Sequence, residues 1–526
     1  MSPKPSGTLI TGLVWAVVVL WVGGYRFGVA DHGIHLPMLD MVLHPDRWQG
    51  DLLFVAADAH PSWFSRVQAP FAEAAGVAAW SAALYFVVLA ATGALLMALA
   101  RVVGLERPAA WVALLVLAVP HAAPGGAPTL DPLLLHRTAA LPVELAAVWL
   151  FLRNRDGWAF LVCGLAACVH APSALALGFG LAFGHLVRAR LLAVPTPEVG
   201  GVGLGEAART LLLPPIAFAA GASPLVVPWM SGAGPGRSLV RVDDAWWDVL
   251  VTRVPHHLVP QSWGMDVWGP FSLWMILAAG SGFVLVRWTE VRRRELLAWI
   301  AVATGCLVYA VAVGSVAGPV ARIALASQVE AWQATRFVLI AAVLVTVGAV
   351  FELRARAPKR ALIAGTLALL VAGASASDAP RRFEPFGPDG AEADVARWAS
   401  ANTTDGARFL LPPGQFGAFR ALALRPVVTP WKDGGEATFA RDVAMEWIRR
   451  MERVCACEPR GPDGISGLRA RVTAGWKARS LEGIRQTAVQ EGADWIVVES
   501  ERAENPVHVA GPWAVLAAPE SARRAP

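Results

Sequence analysis

Long runs of apolar residues, separated by short polar connections, dominate the first 377 residues of the chain. A helix needs about 20 mainly apolar residues to cross a bilayer, so the pattern predicts a polytopic membrane protein with about eleven spanning helices. The predicted spans are residues 8–24, 76–100, 108–120, 136–152, 157–171, 173–187, 210–229, 269–287, 296–315, 336–352 and 361–377. The stretch 157–187 lacks Lys, Arg, Asp and Glu and would overshoot a bilayer as one helix. We therefore interpret it as a hairpin of two short spans that turns at Pro172.

The rest of the chain, residues 378–526, has the charge content of a soluble domain. Its pattern predicts helices over 391–401, 439–453 and 480–491, and short strands over 408–411, 426–428 and 495–499. Helices that alternate with short buried strands indicate a small α/β domain. The predicted fold class is therefore an all-α polytopic membrane domain, residues 1–377, followed by a C-terminal soluble α/β domain.

Basic residues predict how the spans are oriented. Lys and Arg concentrate in the connections 101–107, 153–155, 188–209, 287–294 and 354–360, whereas the alternating connections, among them the long loops 25–75 and 230–268, carry fewer. Basic short loops stay in the cytoplasm. We expect a multi-pass protein of the cytoplasmic (inner) membrane, embedded in the lipid bilayer, with a cytoplasmic N-terminus and an extracytoplasmic C-terminal domain.

The composition supports the membrane assignment and removes several function classes. Of 526 residues, 56% are hydrophobic and only 16% are charged, against about 25% charged residues in soluble domains. Much of the net charge of +5 lies in short loops, so it indicates no nucleic-acid partner. Without a Walker A motif, a GxGxxG after a strand or a GxSxG in a suitable context, ATP hydrolysis, dinucleotide binding and serine-hydrolase chemistry are not supported.

The five cysteines do not form a disulfide framework. Cys163, Cys168 and Cys306 lie in apolar runs, where free cysteine packs as a small hydrophobic residue. Cys455 and Cys457 form a CxC in the C-terminal domain. A local disulfide and two free thiols are both compatible with an extracytoplasmic domain.

The first long loop is rich in acidic and imidazole side chains, which are the groups of acid/base and metal chemistry. Asp31 follows the first span closely, and the segment 34–43 has the spacing of a helix along the membrane surface, which would hold Asp31 at the mouth of a cavity. Asp31 is predicted to be a catalytic base or metal ligand, and Asp51 is a second catalytic candidate. The alternative is a solvated loop with exposed acids. His32 cannot share a helical face with Asp31, so it would contact a different partner.

Ionisable residues inside or near the spans are further candidates for binding substrate. Arg137 and Glu144 lie seven residues apart on one face of a predicted span, where ionisable residues are functional candidates by default; the alternative is a structural ion pair. Arg336, at the outer start of a span, can bind a phosphate with two hydrogen bonds. The alternative is that it anchors the helix in the lipid headgroups. In the loop 230–268, Arg253, His256 and His257 stand between prolines and suit phosphate binding or cavity shaping.

These features together resemble the GT-C superfamily of integral-membrane glycosyltransferases. One span, a long outward loop with an early acid, many further spans and an outer C-terminal domain are the shared architecture. Several short motifs resemble more closely a family of uncharacterised bacterial multi-spanning membrane proteins. In the first loop these motifs lie around Gly28, Asp31, His32, Leu36-Pro37, His44-Pro45-Asp46 and Gly50-Asp51. The others are the RxPHHL element at 253–258 and the pair of elements Arg425-Pro426 and Trp431-Lys432.

The resemblance implies transfer of a sugar from a polyprenyl-phosphate donor to an unknown acceptor at the outer membrane face. Asp31 would deprotonate or orient the acceptor hydroxyl, directly or through a divalent cation such as Mg²⁺ or Mn²⁺, with Asp131 as the second acid. Arg336, with Arg253 or Arg137, would neutralise the departing phosphate. The outer domain would bind the acceptor or close over the cavity.

Two functions from other classes remain open at this point. The same cationic cavity would suit a non-enzymatic transporter or flippase of lipid-linked glycan, although paired repeats typical of transporters are not evident. A membrane scaffold for envelope polysaccharide assembly is the third alternative.

Overall fold

The computed structural model describes residues 5–57, 62–191, 204–231, 241–288, 292–376, 382–461 and 463–519. The helices are α1 (Pro5–Gly23), α2 (His32–Leu43), α3 (Leu52–Ala57), α4 (Phe64–Ala75), α5 (Val77–Val102), α6 (Arg107–Leu117), α7 (His136–Leu152), α8 (Asp156–Leu191), α9 (Leu204–Ser231), α10 (Asp244–Arg253), α11 (Pro255–Leu258), α12 (Met265–Trp288), α13 (Arg293–Val311), α14 (Ala324–Gln328), α15 (Thr335–Arg356), α16 (Pro358–Ser375), α17 (Ala391–Asn402), α18 (Phe419–Ala423), α19 (Arg441–Cys455), α20 (Gly464–Ala478) and α21 (Leu481–Gln490). The strands are β1 (Gly24–Arg26), β2 (Arg382–Glu384), β3 (Phe409–Leu410), β4 (Trp495–Glu499), β5 (His508–Ala510) and β6 (Trp513–Ala517). Short 3-10 segments lie at Pro45–Trp48, Pro260–Ser262, Ala331–Ala334, Trp431–Thr438 and Ser500–Arg502, and a π segment lies at Ala312–Ala317.

Apolar helices make the N-terminal part an integral membrane structure. Within the described ranges, five helical segments have the length and composition to cross a bilayer, namely Val77–Val102, Asp156–Ala189 (which is folded into two arms), Met265–Trp288, Arg293–Ala317 and Ala331–Arg356. Shorter apolar helices are Gly7–Gly23, Arg107–Leu117 and Leu211–Val227. The predicted count of eleven spans is therefore not confirmed, whereas the mainly helical membrane part is.

Helix α8 is a hairpin of two antiparallel arms. The backbone at His170 is non-helical, and Asp156, at the start, accepts a hydrogen bond from His185 Nδ1 at 2.7 Å. A straight helix would separate these two residues by about 44 Å. Pro172 cannot donate to the carbonyl of Cys168, which instead accepts the Trp63 N–H at 2.8 Å. The predicted hairpin is thus confirmed, with its non-helical residue two positions before Pro172.

The C-terminal domain is built around a four-stranded sheet in the order β3-β4-β6-β5. β3 pairs in parallel with β4, and β6 pairs antiparallel with both β4 and β5. The three predicted helices correspond to α17, α19 and α21, and two of the three predicted strands correspond to β3 and β4; the third, 426–428, contributes the isolated bridge of Val427 to Phe409. Helix α20 and the β5–β6 hairpin were not predicted. Cys455 and Cys457, left open above, form a disulfide.

The first loop is the main contact between the two parts of the chain. β1 pairs in parallel with β2, so that Gly24 lies opposite Arg382. Helix α2 confirms the helix predicted over 34–43, but most of its residues are buried, and it packs against α4 and α18. A Cβ on Gly33 would lie only 2.1 Å from the carbonyl oxygen of Gly417. The C-terminal domain therefore covers this helix, and its position along the membrane surface stays a prediction.

Candidate functional site

A polar cavity of about 190 Å³ lies where the first loop meets the C-terminal domain. Its walls come from the residue before α2, the start of α7, the turn of the α8 hairpin, α10, α11, the loop before α15 and the segment Trp431–Thr438. The charged and imidazole side chains on these walls are Asp31, His35, His136, Arg137, His170, Arg253, His256, His257, Glu330, Lys432 and Glu436. Stretches that are far apart in sequence therefore supply one charged compartment.

Asp31 reaches this cavity from the turn between α1 and α2. Gly28 forms the turn with a φ of +70°, and a side chain there would collide with Leu422. The Asp31 side chain is 33% exposed, and its Oδ1 accepts a hydrogen bond from Lys432 Nζ at 2.6 Å. The Lys432 ammonium outweighs burial and holds the pKa of the Asp31 carboxyl well below its usual range. Asp31 is therefore a carboxylate at neutral pH, and its close partner is a lysine of the other domain.

Arg137 bridges the two acids that were predicted to bind a metal. It donates from Nε and Nη2 to Asp131 at 2.9 and 2.8 Å, and the same Nη2 lies 3.5 Å from Asp31 Oδ2. Within the described part of the chain, no group of three or more His, Cys, Asp or Glu side chains could hold a metal ion. Mg²⁺ needs several oxygen ligands in regular geometry. Because cationic side chains occupy the carboxylate oxygens of both acids, the pair as arranged does not fit a divalent cation.

Arg253 lines the cavity, but its guanidinium donates hydrogen bonds to the backbone of the C-terminal domain. Its Nε donates to the carbonyl of Trp431 at 2.9 Å and its Nη2 to that of Lys432 at 3.2 Å. The guanidinium also lies over the Trp431 ring, 4.8 Å from the centroid. Burial lowers the pKa of Arg253 to about 10, so it stays cationic at neutral pH. Arg253 thus holds the backbone at Lys432 while it lines the cavity, and its contact with substrate stays a prediction.

The adjacent histidines of α11 both border the cavity. His257 donates from Nδ1 to the carbonyl of Gly125 at 2.6 Å, and the two imidazole rings lie 3.9 Å apart. Burial, then the neighbouring His257 and Arg253, lower the pKa of His256, which is therefore neutral at pH 7. Both imidazoles therefore line the cavity, and their binding of a ligand stays a prediction.

Two first-loop candidates, Asp51 and His32, are buried and hydrogen-bonded within the protein. Asp51 is fully buried, and its oxygens accept hydrogen bonds from Arg420, from the backbone N–H of Val427 and from that of Leu53. His32 is fully buried as well. Burial lowers the pKa of His32 to about 4. The hydrogen bonds of the Asp51 carboxylate are thus all made inside the protein, and the catalytic role predicted for it stays a prediction.

The contacts of His32 explain its burial. Its Nδ1 accepts the N–H of Gly28 at 3.0 Å, and its Nε2 donates to the carbonyl of Leu134 at 3.1 Å. The neutral ring thus ties the turn before Asp31 to the chain entering α7. The partners of His32 thus differ from those of Asp31, as expected for adjacent residues.

Glu144 and Arg336 form an ion pair behind the cavity wall. Arg336 donates to Glu144, which also accepts from Ser173, and both charged side chains are buried. Arg336 also donates to the carbonyl of Arg137 at 3.0 Å. The two residues thus form an ion pair that supports the start of α7, and their contacts with substrate stay a prediction.

An apolar groove of about 700 Å³ shares one loop with the polar cavity. Its walls are the second arm of α8, α9, the end of α13 and the segment that follows. Along α8 it extends from Leu175 to Leu186, roughly 16 Å at 1.5 Å per residue. Val329 lines the groove, and the next residue, Glu330, lines the polar cavity. Consecutive residues of one loop therefore line the two compartments.

Several residues of the cavity had no role in the sequence analysis. Lys432 belongs to one of the elements that carried the resemblance, but nothing local indicated that it would meet Asp31. Glu330 and Glu436 add carboxylates, and Glu330 has a left-handed backbone with a φ of +41°, which is uncommon outside glycine and often found at functional sites. The only available signal was the density of polar residues in these loops.

Comparison with known proteins gives a family-model match in the C-terminal domain. Residues 390–454 match a domain of unknown function, DUF6798. This range contains Lys432, whose side chain reaches the cavity, and Arg420, which pairs with Asp51. A comparison with curated proteins found no match.

Two solved membrane-protein structures are similar to the chain over most of its length. The oligosaccharyltransferase of Archaeoglobus fulgidus in its apo form is 12% identical with a TM-score of 0.46, and the match covers 94% of this chain and 70% of that one. ArnT of Cupriavidus metallidurans in the apo state is 12% identical with a TM-score of 0.39, covering 98% and 99%. At these scores the likeness concerns the general course of the chain, and the function proposed below rests on the site itself.

Proposed function

We propose that this protein is a membrane glycosyltransferase that moves a sugar from a polyprenyl-phosphate donor to an acceptor at the outer face of the cytoplasmic membrane. The observation that carries the proposal is the loop that the cavity and the groove share. An ionised carboxylate, Asp31, and several cationic groups line a polar compartment together with Glu330, and the preceding residue, Val329, lines an apolar groove. A lipid chain joined to a charged sugar phosphate has the same division between apolar and polar parts.

The cationic groups suit the phosphate of such a donor. Arg137 and Lys432 line the cavity beside Asp31, and the imidazoles of His256 and His257 can add hydrogen bonds. A phosphodiester carries one negative charge, and the lipid monophosphate that leaves carries up to two. Cations placed there therefore interact more strongly as the bond to the sugar breaks, which is the requirement for lowering the barrier.

Asp31 is proposed as the general base. The acceptor hydroxyl attacks the anomeric carbon of the sugar, its proton passes to Asp31, and the electrons of the broken carbon–oxygen bond remain on the lipid phosphate. Lys432 and Arg137 keep Asp31 ionised at neutral pH, and because they lower its pKa they also weaken it as a base for as long as they stay paired with it. Each of these steps uses only side chains of this chain, the donor and the acceptor.

The test uses purified protein in lipid nanodiscs with a panel of polyprenyl-phosphate-linked sugars that carry a radioactive label. Transfer of label to a co-purified or added acceptor is expected for the wild type and should fall by at least 100-fold in Asp31→Asn. Asp46→Asn, a change at an exposed acid of the same loop, is the matched control and should keep full activity. Full activity in Asp31→Asn would reject the assigned base.

The transporter alternative has a different outcome in the same system. In liposomes, a flippase moves the labelled lipid to the other leaflet with its sugar–phosphate bond intact, whereas a transferase releases the lipid phosphate. Transbilayer movement without release would favour the transporter and overturn the proposal. Glycan binding that persists in the absence of either event would favour a scaffold.

A further inference from the structure

The segment Trp431–Lys432–Asp433 connects the interior of the C-terminal domain to the cavity. Lys432 extends to Asp31 across the domain boundary, a contact between residues 401 positions apart. The next side chain, Asp433, accepts hydrogen bonds from Arg420 in a fully buried network that also contains Asp51. Neighbouring residues of one short segment thus make two different ion pairs. The buried pair of Asp433 with Arg420 fixes the position of the pair of Lys432 with Asp31 in the cavity.

The backbone of the same segment is held as firmly as its side chains. Arg253 donates to the carbonyls of Trp431 and Lys432, and the Trp431 N–H donates to the carbonyl of Pro413 at 3.0 Å. The Lys432 side chain is 11% exposed, and its ammonium reaches the cavity. Because the main chain is anchored on several sides, movement of the charge is left to the flexible methylene chain of the lysine.

We infer that Lys432 exchanges its ion pair with Asp31 for one with the phosphate of the lipid-linked donor, so that phosphate binding releases the base. This inference rests on the proposed function. The ammonium has three donors on a rotatable stem, and the cavity contains both its present partner and the space for the new one. After the exchange, Arg137 still lies 3.5 Å from Asp31, and its Nε and Nη2 are hydrogen-bonded to Asp131.

The exchange of ion pairs has a consequence both for Asp31 and for the lipid phosphate. Loss of the lysine contact makes Asp31 a stronger base at the moment when an acceptor proton has to be removed. At the other end, the phosphate gains negative charge as it leaves, so its attraction to Lys432 grows through the transition state. A single side chain would thereby couple departure of the lipid phosphate to activation of the acceptor.

The experiment measures binding of a short-chain polyprenyl monophosphate to the full-length protein in detergent, with the corresponding polyprenol as the uncharged comparison. The wild type should bind the phosphate more tightly than the alcohol. Lys432→Met should weaken phosphate binding roughly 10- to 100-fold, and Lys432→Arg should retain most of it. Lys477→Met removes an exposed lysine of the same domain and serves as the matched control with unchanged binding.

A second variant shows whether Asp31 competes with the phosphate for Lys432 or whether Lys432 only attracts the phosphate. If Asp31 competes with phosphate for Lys432, Asp31→Asn should tighten phosphate binding, and this gain should vanish in the Asp31→Asn/Lys432→Met double variant. Unchanged binding in folded Lys432→Met, or an absence of tightening in Asp31→Asn, would overturn the inference while leaving the proposed function in place. If the wild type binds the phosphate no better than the alcohol, the donor class of the proposed function fails instead.

Discussion

Asp51 and Arg420 pair across 369 residues of sequence, with Arg420 Nε and Nη2 donating to the two carboxylate oxygens at 2.9 and 2.8 Å. Both side chains are buried, and Arg420 shares its guanidinium with Asp433. The pair fixes the first loop, which carries Asp31, to the domain that carries Lys432. A carboxylate that the sequence placed among the catalytic candidates therefore acts on the site from a distance.

Removal of Asp51 should loosen the junction between the loop and the C-terminal domain. Asp51→Ala leaves a buried guanidinium with one carboxylate fewer, and breaking a buried pair costs about 3–5 kcal/mol. The thermal unfolding midpoint of the purified protein should fall, and limited proteolysis should release the C-terminal domain sooner. Asp46→Ala, in the same loop but exposed, should change neither measurement; equal effects of the two substitutions would contradict the structural role.

The buried carboxyl of Asp433 should make stability depend on pH. Burial, which outweighs the opposing charge of Arg420, raises the pKa of Asp433 to about 6 from an ordinary 3.8. The contribution of Asp433 to the free energy of unfolding is therefore fully present below pH 3.8. It is lost as the pH rises through 6. Stability of the wild type relative to Asp433→Asn should fall between pH 4.5 and 7.5, by at most about 1.4 kcal/mol per pH unit. Unfolding curves of both proteins at three pH values test this, and a constant difference would contradict it.

Glu144 and Arg336 should behave as a structural pair in a double-mutant cycle. Each buried charge left alone by Glu144→Gln or Arg336→Met is costly, about 3–5 kcal/mol for a fully broken pair. The double variant removes both charges and should be more stable than the sum of the single effects indicates. Thermal unfolding of the four proteins in detergent gives the coupling directly. Strictly additive losses would show that the two side chains act independently.

His32 should affect folding rather than contact with the donor. His32→Leu leaves the Gly28 N–H and the Leu134 carbonyl without their partner, at about 1–3 kcal/mol for each buried polar group. We expect a lower unfolding midpoint, while the KM for the lipid-linked donor stays within about twofold in the folded fraction. A large rise in KM at unchanged stability would restore His32 as a substrate-binding residue.

The apolar groove should discriminate between donors by the length of their lipid. Ala182 lines the groove on the second arm of α8, and Ala182→Phe would fill part of it. The KM for a long-chain donor should rise roughly 10-fold, since several buried methylenes lose their contacts, whereas that for a short-chain donor should change little. Leu165→Phe, at an exposed position of the first arm, is the control. Equal effects on both donors would remove the groove from the donor site.

The sequence by itself determined the features that depend on neighbouring residues. Long apolar runs predicted a helical membrane part, the uncharged stretch 157–187 predicted the α8 hairpin, and periodicity in the C-terminal domain predicted α17, α19 and α21. These follow from local chemistry, because a spanning helix or an amphipathic helix is encoded in the residues that form it. Helix α20 was missed because it contains glycines at 464, 467 and 475, which lower helix propensity, and tertiary packing stabilises it nonetheless.

Only the tertiary structure decided which of the predicted polar residues meet. Asp31 and Asp51 are equivalent as acids of one loop, yet one lies in the cavity beside Lys432 and the other is buried against Arg420. Those partners are hundreds of residues away, and a charge carries no sequence signal of what it will face after folding. Arg336, which was predicted to bind the phosphate, likewise forms an ion pair with Glu144. The choice between solvent, substrate and ion pair depends on burial and distance, which the fold sets and the local sequence does not.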